Sequence, residues 1–319
     1  MNALSRISCY AVHTLRSPAR EELARELFAV HRQIFTGLSL QEFRAYVVER
    51  DAWRTWIYVK HNAQGQVVGY VSIHAFRLIL ADRLSTVIRM EAGTLPAYRG
   101  RDLTMVYGVL RLLRVWLHHP WRRFCIFAAM THPSSYTFLA HYAPVIWPNT
   151  RQKDIPAQVV QRMEELAQSF HLDRVDLANP MLRQVNWITL ESIEERQRWL
   201  ASRRPDTRFY LDMNPGYVHG HGLLTYIPFN GTILLQSLVR FLVGRAGKII
   251  RLALMRQMHA YAAPQPGGAS VPDEQAARRE LEGLHREMLE NTIAARRRIE
   301  ALLTPEQRLE WRRAGTPAR

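Results

Sequence analysis

The 319-residue sequence predicts an α/β fold: a mixed sheet flanked by helices, continued by a C-terminal α-rich extension. Three observations carry that expectation. Residues 1–147 alternate between strand and helix patterns in the order strand, helix, helix, three strands, helix, strand, helix. In their middle, two β-rich runs flank a Gly-bearing loop, the local signature of a hairpin. Beyond residue 148 helical periodicity dominates, and it ends in a highly charged helical stretch.

Taken in order, Ser8 to Leu15 fits a short strand. After Ser17-Pro18, the segment Arg20 to Phe35 places Leu23, Leu27, Val30 and Ile34 at helical spacing. Ser39 to Arg50 predicts a second helix, with Ser39 and Glu42 forming an S-x-x-E capping box. Trp56–His61 and Val67–His74 are the hairpin strands, and Thr86 to Thr94 is a third adjacent strand. A helix follows from Leu103 to about Leu117, with Val106, Val109, Leu110, Leu113 and Leu117 expected on one face. Arg123 to Met130 reads as a buried strand, and Ser135 to Tyr142 as a helix.

Further on, Pro156–Phe170 and Ser192–Ser202 predict helices, and Val185–Thr189 and Arg208–Asp212 predict short strands. Leu223 to Met258 reads as a long apolar and basic helical stretch without a single acid. Residues 1–147 are therefore expected as one domain and 148–261 as an α/β elaboration or second subdomain. Residues 262–272 (AAPQPGGASVP, with its first residue at Ala262) form a linker by composition, and 273–319 a charged helical appendage.

Charge narrows the partners. Lys+Arg total 43 against 28 Asp+Glu, a formal +15, and only Lys60, Lys153 and Lys248 are lysines. An arginine excess of this size suits an acidic partner, and it also follows from biased usage spread over solvated faces. Five cations between Arg240 and Arg256, beside Leu234, Leu238 and Phe241, would let residues 232–258 lie at an anionic membrane surface. The alternative for the same stripe is ordinary packing against another helix. No recognised motif supports nucleic acid as a partner.

Cys9 and Cys125 are far apart and lack metal-ligand spacing, so neither a disulfide framework nor a metal site is expected. His219-Gly220-His221 lacks a well-placed third ligand and fits a loop, one that could lie over an acceptor pocket. With no secretory pattern at the N-terminus and no run of about 18 apolar residues, a cytoplasmic protein is expected, with peripheral contact at the inner membrane surface as its variant.

The most informative segment is Glu91 to Leu110, EAGTLPAYRGRDLTMVYGVL. A strand feeds a turn that opens a helix, an arrangement that aims free backbone N–H groups and the positive end of a helix dipole at one spot. Arg99 and Arg101 would add charge for a phosphate there. In Pro96, Tyr98, Arg99 and Gly100 this run resembles the signature of the GCN5-related N-acetyltransferase superfamily, as does the element order over about residues 5–147.

The resemblance implies a mixed, mostly antiparallel sheet and an acyl-CoA donor whose pyrophosphate meets Arg99, Gly100, Arg101, Asp102, Leu103 and Thr104. Asp102 and Thr104 stand where the family has small residues, and an Asp cap would compete with a phosphate for the same N–H donors.

Acyl transfer to an amine needs a base, an oxyanion donor and an acid for the departing thiolate. Glu91 is the base candidate, expected among apolar neighbours that push its pKa upward; its alternative is a carboxylate paired with Arg89 or another arginine. His132, Tyr136 and Tyr142 are the candidate proton carriers, with Ser134 and Ser135 expected as helix caps. The chain is thus expected to move an acyl group from acyl-CoA or acyl carrier protein to a small-molecule amine or hydroxyl. The alternative is a non-catalytic binding protein on the same fold, associated with a membrane surface or an acidic partner.

Overall fold

The computed structural model describes residues 4–99, 104–152, 154–176, 179–185, 187–233, 236–237, 239–241 and 244. The chain divides into two compact units, Met1–Leu238 and Val239–Arg319, and the elements below belong to the first. The expected linker 262–272, the appendage 273–319 and most of 232–258 lie outside the described residues.

Seven strands form one sheet in the order β1-β3-β4-β5-β6-β9-β7. They are β1 (Leu4–Ala11), β3 (Arg54–Asn62), β4 (Val67–Leu80), β5 (Arg83–Thr94), β6 (Arg123–Met130), β7 (Leu182–Gln184) and β9 (His221–Phe229). All neighbours are antiparallel except β5 and β6. That parallel pair is joined through α3 (Thr104–His118), because parallel strands need a crossover rather than a hairpin. The β3–β4 loop is held by Asn62, whose Oδ1 accepts the N–H groups of Gln64 and Gln66, with Gly65 at φ 79°. A small second sheet pairs β2 (Phe35–Thr36) with β8 (Ile188–Thr189).

One face of the sheet is covered by α1 (Ser17–His31), α2 (Leu40–Phe43) and a π-helical turn, Arg44–Val48. Leu23, Leu27, Phe43, Val47, Ile57, Val59 and Tyr70 bury together there, each aliphatic or Phe side chain contributing about 1.5–3 kcal/mol. The expected α1 stripe is the buried one: Leu23, Leu27, Val30 and Ile34 are all 4% exposed or less. Ser39 and Glu42 form the capping box, but the α-helix lasts one turn before widening into the π turn.

On the opposite face α3 packs Val109, Leu112 and Val115 against Trp56, Tyr58, Ile73 and Ile88. The inward stripe is thus rotated from the expected one, since Leu110 and Leu117 face solvent. The remaining helices are α4 (Pro133–Tyr142), α5 (Ala157–Ser169), α6 (Ile193–Leu200) and α7 (Pro205–Met213).

Two expectations are corrected. Leu223–Phe229 is not helical but the body of β9, hydrogen-bonded to β6 on one side and β7 on the other. Buried on both faces, it is a continuous apolar run, the pattern that a buried strand shares with a buried helix. Arg208–Asp212 is not a strand, because it lies within α7, whose start is set by Pro205 at the first helical position and Asp206 in the first turn. β7 and β9 extend the sheet begun by residues 1–147, so residues up to 238 build on the same core. Among the described residues no helix is long and apolar enough to cross a membrane.

Candidate functional site

The central feature is a divergence between β5 and β6. Their ladder runs from Ser85/Arg123 to Ile88/Ile126 and stops there, although β5 continues to Thr94 and β6 to Met130. Beyond that point β6 pairs only with β9 and β5 only with β4 among the described residues. The β5 edge from Arg89 to Thr94 is therefore without a strand partner on its β6 side. Both strands are parallel, so the Pro96–Tyr98 turn after β5 and the His132 segment after β6 lie at the same end of the sheet.

Glu91 lies on this free stretch of β5 and is 4% exposed. Its Oε1 accepts from Arg50 Nη1 at 3.0 Å, and its Oε2 is 2.9 Å from His74 Nε2. His74 Nδ1 in turn is 2.9 Å from Thr55 Oγ1. Burial alone would push the Glu91 carboxyl up. The charges of His74 and Arg50, the His74 contact and Arg89 outweigh it and hold the group at about 2. The upward shift expected from sequence is thus reversed, because the apolar surroundings come with cations attached. As a result Glu91 is ionised at neutral pH, with Oε1 hydrogen-bonded to Arg50 and Oε2 at ion-pair distance from His74 but without hydrogen-bond geometry.

Arg89, two residues earlier on the same face, is also 4% exposed. Its Nη2 donates to Tyr46 Oη at 2.8 Å and its guanidinium lies 4.6 Å from the Phe170 ring centre, while Nε and Nη1 are buried without a hydrogen-bond partner. The sequence alternative paired Glu91 with Arg89 or another arginine; the partner in direct contact is Arg50, supplied by the segment after the π turn.

At the strand ends, Arg99 donates from Nε to Thr94 O at 3.1 Å and from Nη1 to Glu195 Oε1 at 2.9 Å. Gly100, Arg101, Asp102 and Leu103 lie outside the described residues, and Thr104 is buried at the start of α3. His132 is the N-cap of α4: Nδ1 accepts the Ser134 N–H at 3.2 Å and is 2.7 Å from Ser134 Oγ. The cap is therefore the histidine, not Ser134 or Ser135 as the sequence suggested. Nε2 faces Glu191 Oε2 at 3.4 Å. Burial pulls the His132 imidazole below its ordinary range, against the opposite pull of Glu191.

Glu191 is 2% exposed at its side chain and also holds Arg196 Nε and Tyr217 Oη, each at 3.0 Å. Arg99 and His132 thus converge on one short stretch, Glu191–Glu195, at the start of α6. Ser192 caps that helix by accepting the Glu195 N–H at 3.1 Å. The Glu195 carboxylate, which in a capping box would turn back to the cap, goes to Arg99 instead.

The two tyrosines do not join this group. Tyr136 is fully buried, donates to Pro148 O at 2.8 Å, and has its hydroxyl pushed up in pKa by burial. It therefore acts as a core residue and is not the expected free proton donor. Tyr142 ends α4 beside Phe138 and His141, about 13 Å along the helix from its Pro133 start. Glu191, Glu195, Arg50, His74 and Tyr217 were missed from sequence; only the S-x-x-E run at Ser192 was a usable signal, and it points to a cap. In the 214–222 loop, Gly220 at φ 81° ends a short turn and lets β9 begin at His221. Among the described residues no cluster of three or more His, Cys, Asp or Glu could hold a metal.

No family model and no curated protein matches the chain. Solved structures similar to part of it include a conserved protein of unknown function from Enterococcus faecalis, described as a probable N-acyltransferase. That likeness is 14% identical, covers 44% of this chain and 32% of the other, and has a TM-score of 0.31. An aminoglycoside antibiotic 6'-N-acetyltransferase from Acinetobacter baumannii is 14% identical over 42% of this chain and 87% of its own, with a TM-score of 0.30. A GNAT family N-acetyltransferase from Escherichia coli in complex with CoA is 18% identical over 43% of this chain and 68% of its own, with a TM-score of 0.29. The chain thus spans about a third of the length of the Enterococcus protein.

Proposed function

We propose that the chain is an acyltransferase that moves an acyl group from a thioester donor, acyl-CoA or acyl carrier protein, to an amine or hydroxyl acceptor. The observation that carries this reading is the end of the β5–β6 ladder at Ile88 and Ile126. The β5 edge left beyond it is where an extended donor arm bearing amide groups can pair as an added strand does, with its thioester at the divergence. The donor's charged end then falls toward Arg99, just past the Pro96–Tyr98 turn.

In the reaction the acceptor nitrogen attacks the thioester carbonyl carbon, the C–S bond breaks, and the thiolate leaves. Glu91 and His132 are both held by neighbours, so the acceptor enters as the free base. Its proton passes to water, and the thiolate takes one from water. The protein's contribution is then positioning, an effect worth up to about 7–11 kcal/mol of barrier.

A second reading is favoured by one observation: Arg99, Glu91, His132 and Tyr136 all have partners within the fold. In that reading the fold binds a thioester or acidic partner without turnover. One experiment separates the two. The purified chain is titrated with acetyl-CoA, a long-chain acyl-CoA and acylated acyl carrier protein, following Tm and, with a panel of amines, thiol release. A rise in Tm with amine-dependent thiol release supports the transferase, a rise without thiol release supports the binding protein, and an unchanged Tm with every donor removes the donor site from both.

A further inference from the structure

The opposite end of the sheet carries a surface that the transferase reading leaves unused. β4 and β5 run past their neighbours there: β3 begins opposite Ala75, while β4 continues to Leu80 and turns at Ala81 and Asp82, both at positive φ, into β5. On the α3 side of this projecting hairpin stand Arg77, and next to it the cross-strand pair Ile79 and Leu84. Arg54, opposite Ala75, stands on the same side.

The segment after α3 closes against these strands. His119 lies 5.7 Å, ring to ring, from Trp53 and 5.6 Å from Trp121. The Arg77 guanidinium stacks on Trp53 at 3.6 Å from the ring centre, with Arg54 at 5.0 Å from the same ring. The apolar members are turned outward: Trp121 is 75% exposed, Ile79 74%, Leu117 59% and Leu84 46%.

The charge on this surface is uncompensated. Arg54, Arg77 and Arg122 form no ion pair among the described residues, although Asp51 and Asp82 flank them in sequence. Burial and mutual repulsion pull the Arg77 guanidinium below its ordinary value, with Arg122 and Arg54 the named neighbours. Arg122 Nε and Nη1 and His119 Nδ1 are buried from solvent yet make no hydrogen bond. Three guanidinia held together, with donors to spare, and four large apolar side chains standing out around them are the two halves of an interfacial lipid site.

We propose that this face docks on an anionic phospholipid surface, with Arg54, Arg77 and Arg122 taking headgroup phosphates and Trp121, Ile79, Leu84 and Leu117 entering the headgroup boundary. A nucleic acid or an acidic protein would use the arginines but not an exposed Ile–Leu pair beside an exposed Trp. The lipid surface uses both. The site is independent of the donor groove, which lies at the other end of the strands.

The test is flotation of the full-length protein with vesicles of phosphatidylcholine alone and of phosphatidylcholine with about a third phosphatidylglycerol. Wild type is expected to partition on the order of a hundredfold more strongly to the anionic vesicles, at roughly fivefold per arginine. The Arg54→Gln/Arg77→Gln/Arg122→Gln variant should lose most of that difference, and Trp121→Ser/Ile79→Ser should fall by at least about tenfold on the same vesicles. Because Trp121 and Ile79 are exposed, the Trp121→Ser/Ile79→Ser variant should keep the wild-type Tm, as should Arg77→Gln alone; Arg122 is part-buried, so the triple variant is read only if it folds. If the triple variant does not fold, Arg77→Gln alone serves, with an expected loss of roughly fivefold. Equal flotation with both vesicle types overturns the proposal, as does wild-type flotation by the variants, which would place lipid binding elsewhere in the chain. Displacement by polyuridine from the Trp121→Ser/Ile79→Ser variant at wild-type affinity also overturns it, in favour of a polyanion site.

Discussion

His74 Nε2 and Glu91 Oε2 lie 2.9 Å apart on neighbouring strands, both almost without solvent exposure, and Arg50 takes the other carboxylate oxygen. An ionised carboxylate at that depth is stable only because cationic neighbours offset its burial: Arg50 bonds one oxygen and His74 lies at ion-pair distance from the other, though without hydrogen-bond geometry. Held at about 2 when folded against 4.5 as its ordinary value, Glu91 binds its proton more readily in the unfolded chain. Its contribution is present above pH 4.5 and is lost as pH falls toward 2, on the order of 3 kcal/mol in all. Glu91→Gln is expected to cost about 3–5 kcal/mol at pH 7 and to flatten the acid limb below pH 4.5. Denaturant midpoints measured against pH check both, and an unchanged acid limb would show that the carboxylate is not held this way.

Arg89 gives the opposite sign. With Glu91 taken by Arg50 and His74, its buried guanidinium has one hydrogen bond, to Tyr46, and two unpartnered nitrogens. Replacing it by an apolar chain of similar length removes a buried, incompletely paired charge. Arg89→Met is therefore expected to raise stability by about 1–3 kcal/mol, read as an increased urea midpoint at unchanged m-value. A lower midpoint would mean that the ring contact with Phe170 outweighs the desolvation cost.

Arg99 and Glu195 are bonded at 2.9 Å at the end of the sheet where the proposed donor's charged end falls. Their side chains are 37% and 18% exposed, so the pair adds little to stability, under about 1 kcal/mol. It does compete with a phosphate for the same guanidinium. Glu195→Gln should leave Tm within about a degree of wild type and tighten acetyl-CoA binding by roughly threefold to tenfold at low salt. Calorimetric titration decides it, and weaker binding in the variant would remove Arg99 from the donor site.

Local pattern carried the fold a long way in this chain. The α1 stripe, the Ser39 capping box, the hairpin around Gly65 and the full Arg123–Met130 strand were readable because each is decided by neighbours in sequence. Leu223–Phe229 was not, because its identity as a strand depends on β6 and β7, which approach it from far along the chain. The site failed to read for the same reason. Glu91 stood out as a carboxylate in an apolar strand, but His74 from β4 and Arg50 from the segment after the π turn reverse its pKa, and neither is near it in sequence. Glu191 meets His132 across a separation of 59 residues, and no spacing rule announces such a contact.

Tyr136 shows how that difference can be measured. Its hydroxyl donates to Pro148 O inside the core, so Tyr136→Phe removes one hydrogen bond and leaves a buried carbonyl short of a donor. The expected cost is about 1–2 kcal/mol of stability, with any thiol-releasing turnover unchanged within about twofold. A loss of turnover of a hundredfold or more at retained Tm would restore Tyr136 as the general acid that sequence position suggested.

His31 makes the fold sensitive to mild acid in a range where Glu91 is silent. It is 1% exposed, packed among Phe28, Phe35, Phe43 and Trp187, with Nδ1 2.8 Å from Tyr70 Oη, and burial pulls its pKa from 6.5 to about 4. The unfolded chain therefore takes up the proton first. His31 contributes fully above pH 6.5, and the contribution drains away as pH falls toward 4, by up to about 3 kcal/mol. His132, also pulled down by burial, adds a loss of the same sign. His31→Gln keeps a polar partner for Tyr70 and removes the proton site, so its stability should fall less steeply than wild type between pH 6.5 and 4 and in parallel with it below pH 4. Urea midpoints across that range read the slope directly. Identical slopes in the two proteins would mean that His31 is protonated as easily in the fold as outside it, which its aromatic enclosure should forbid.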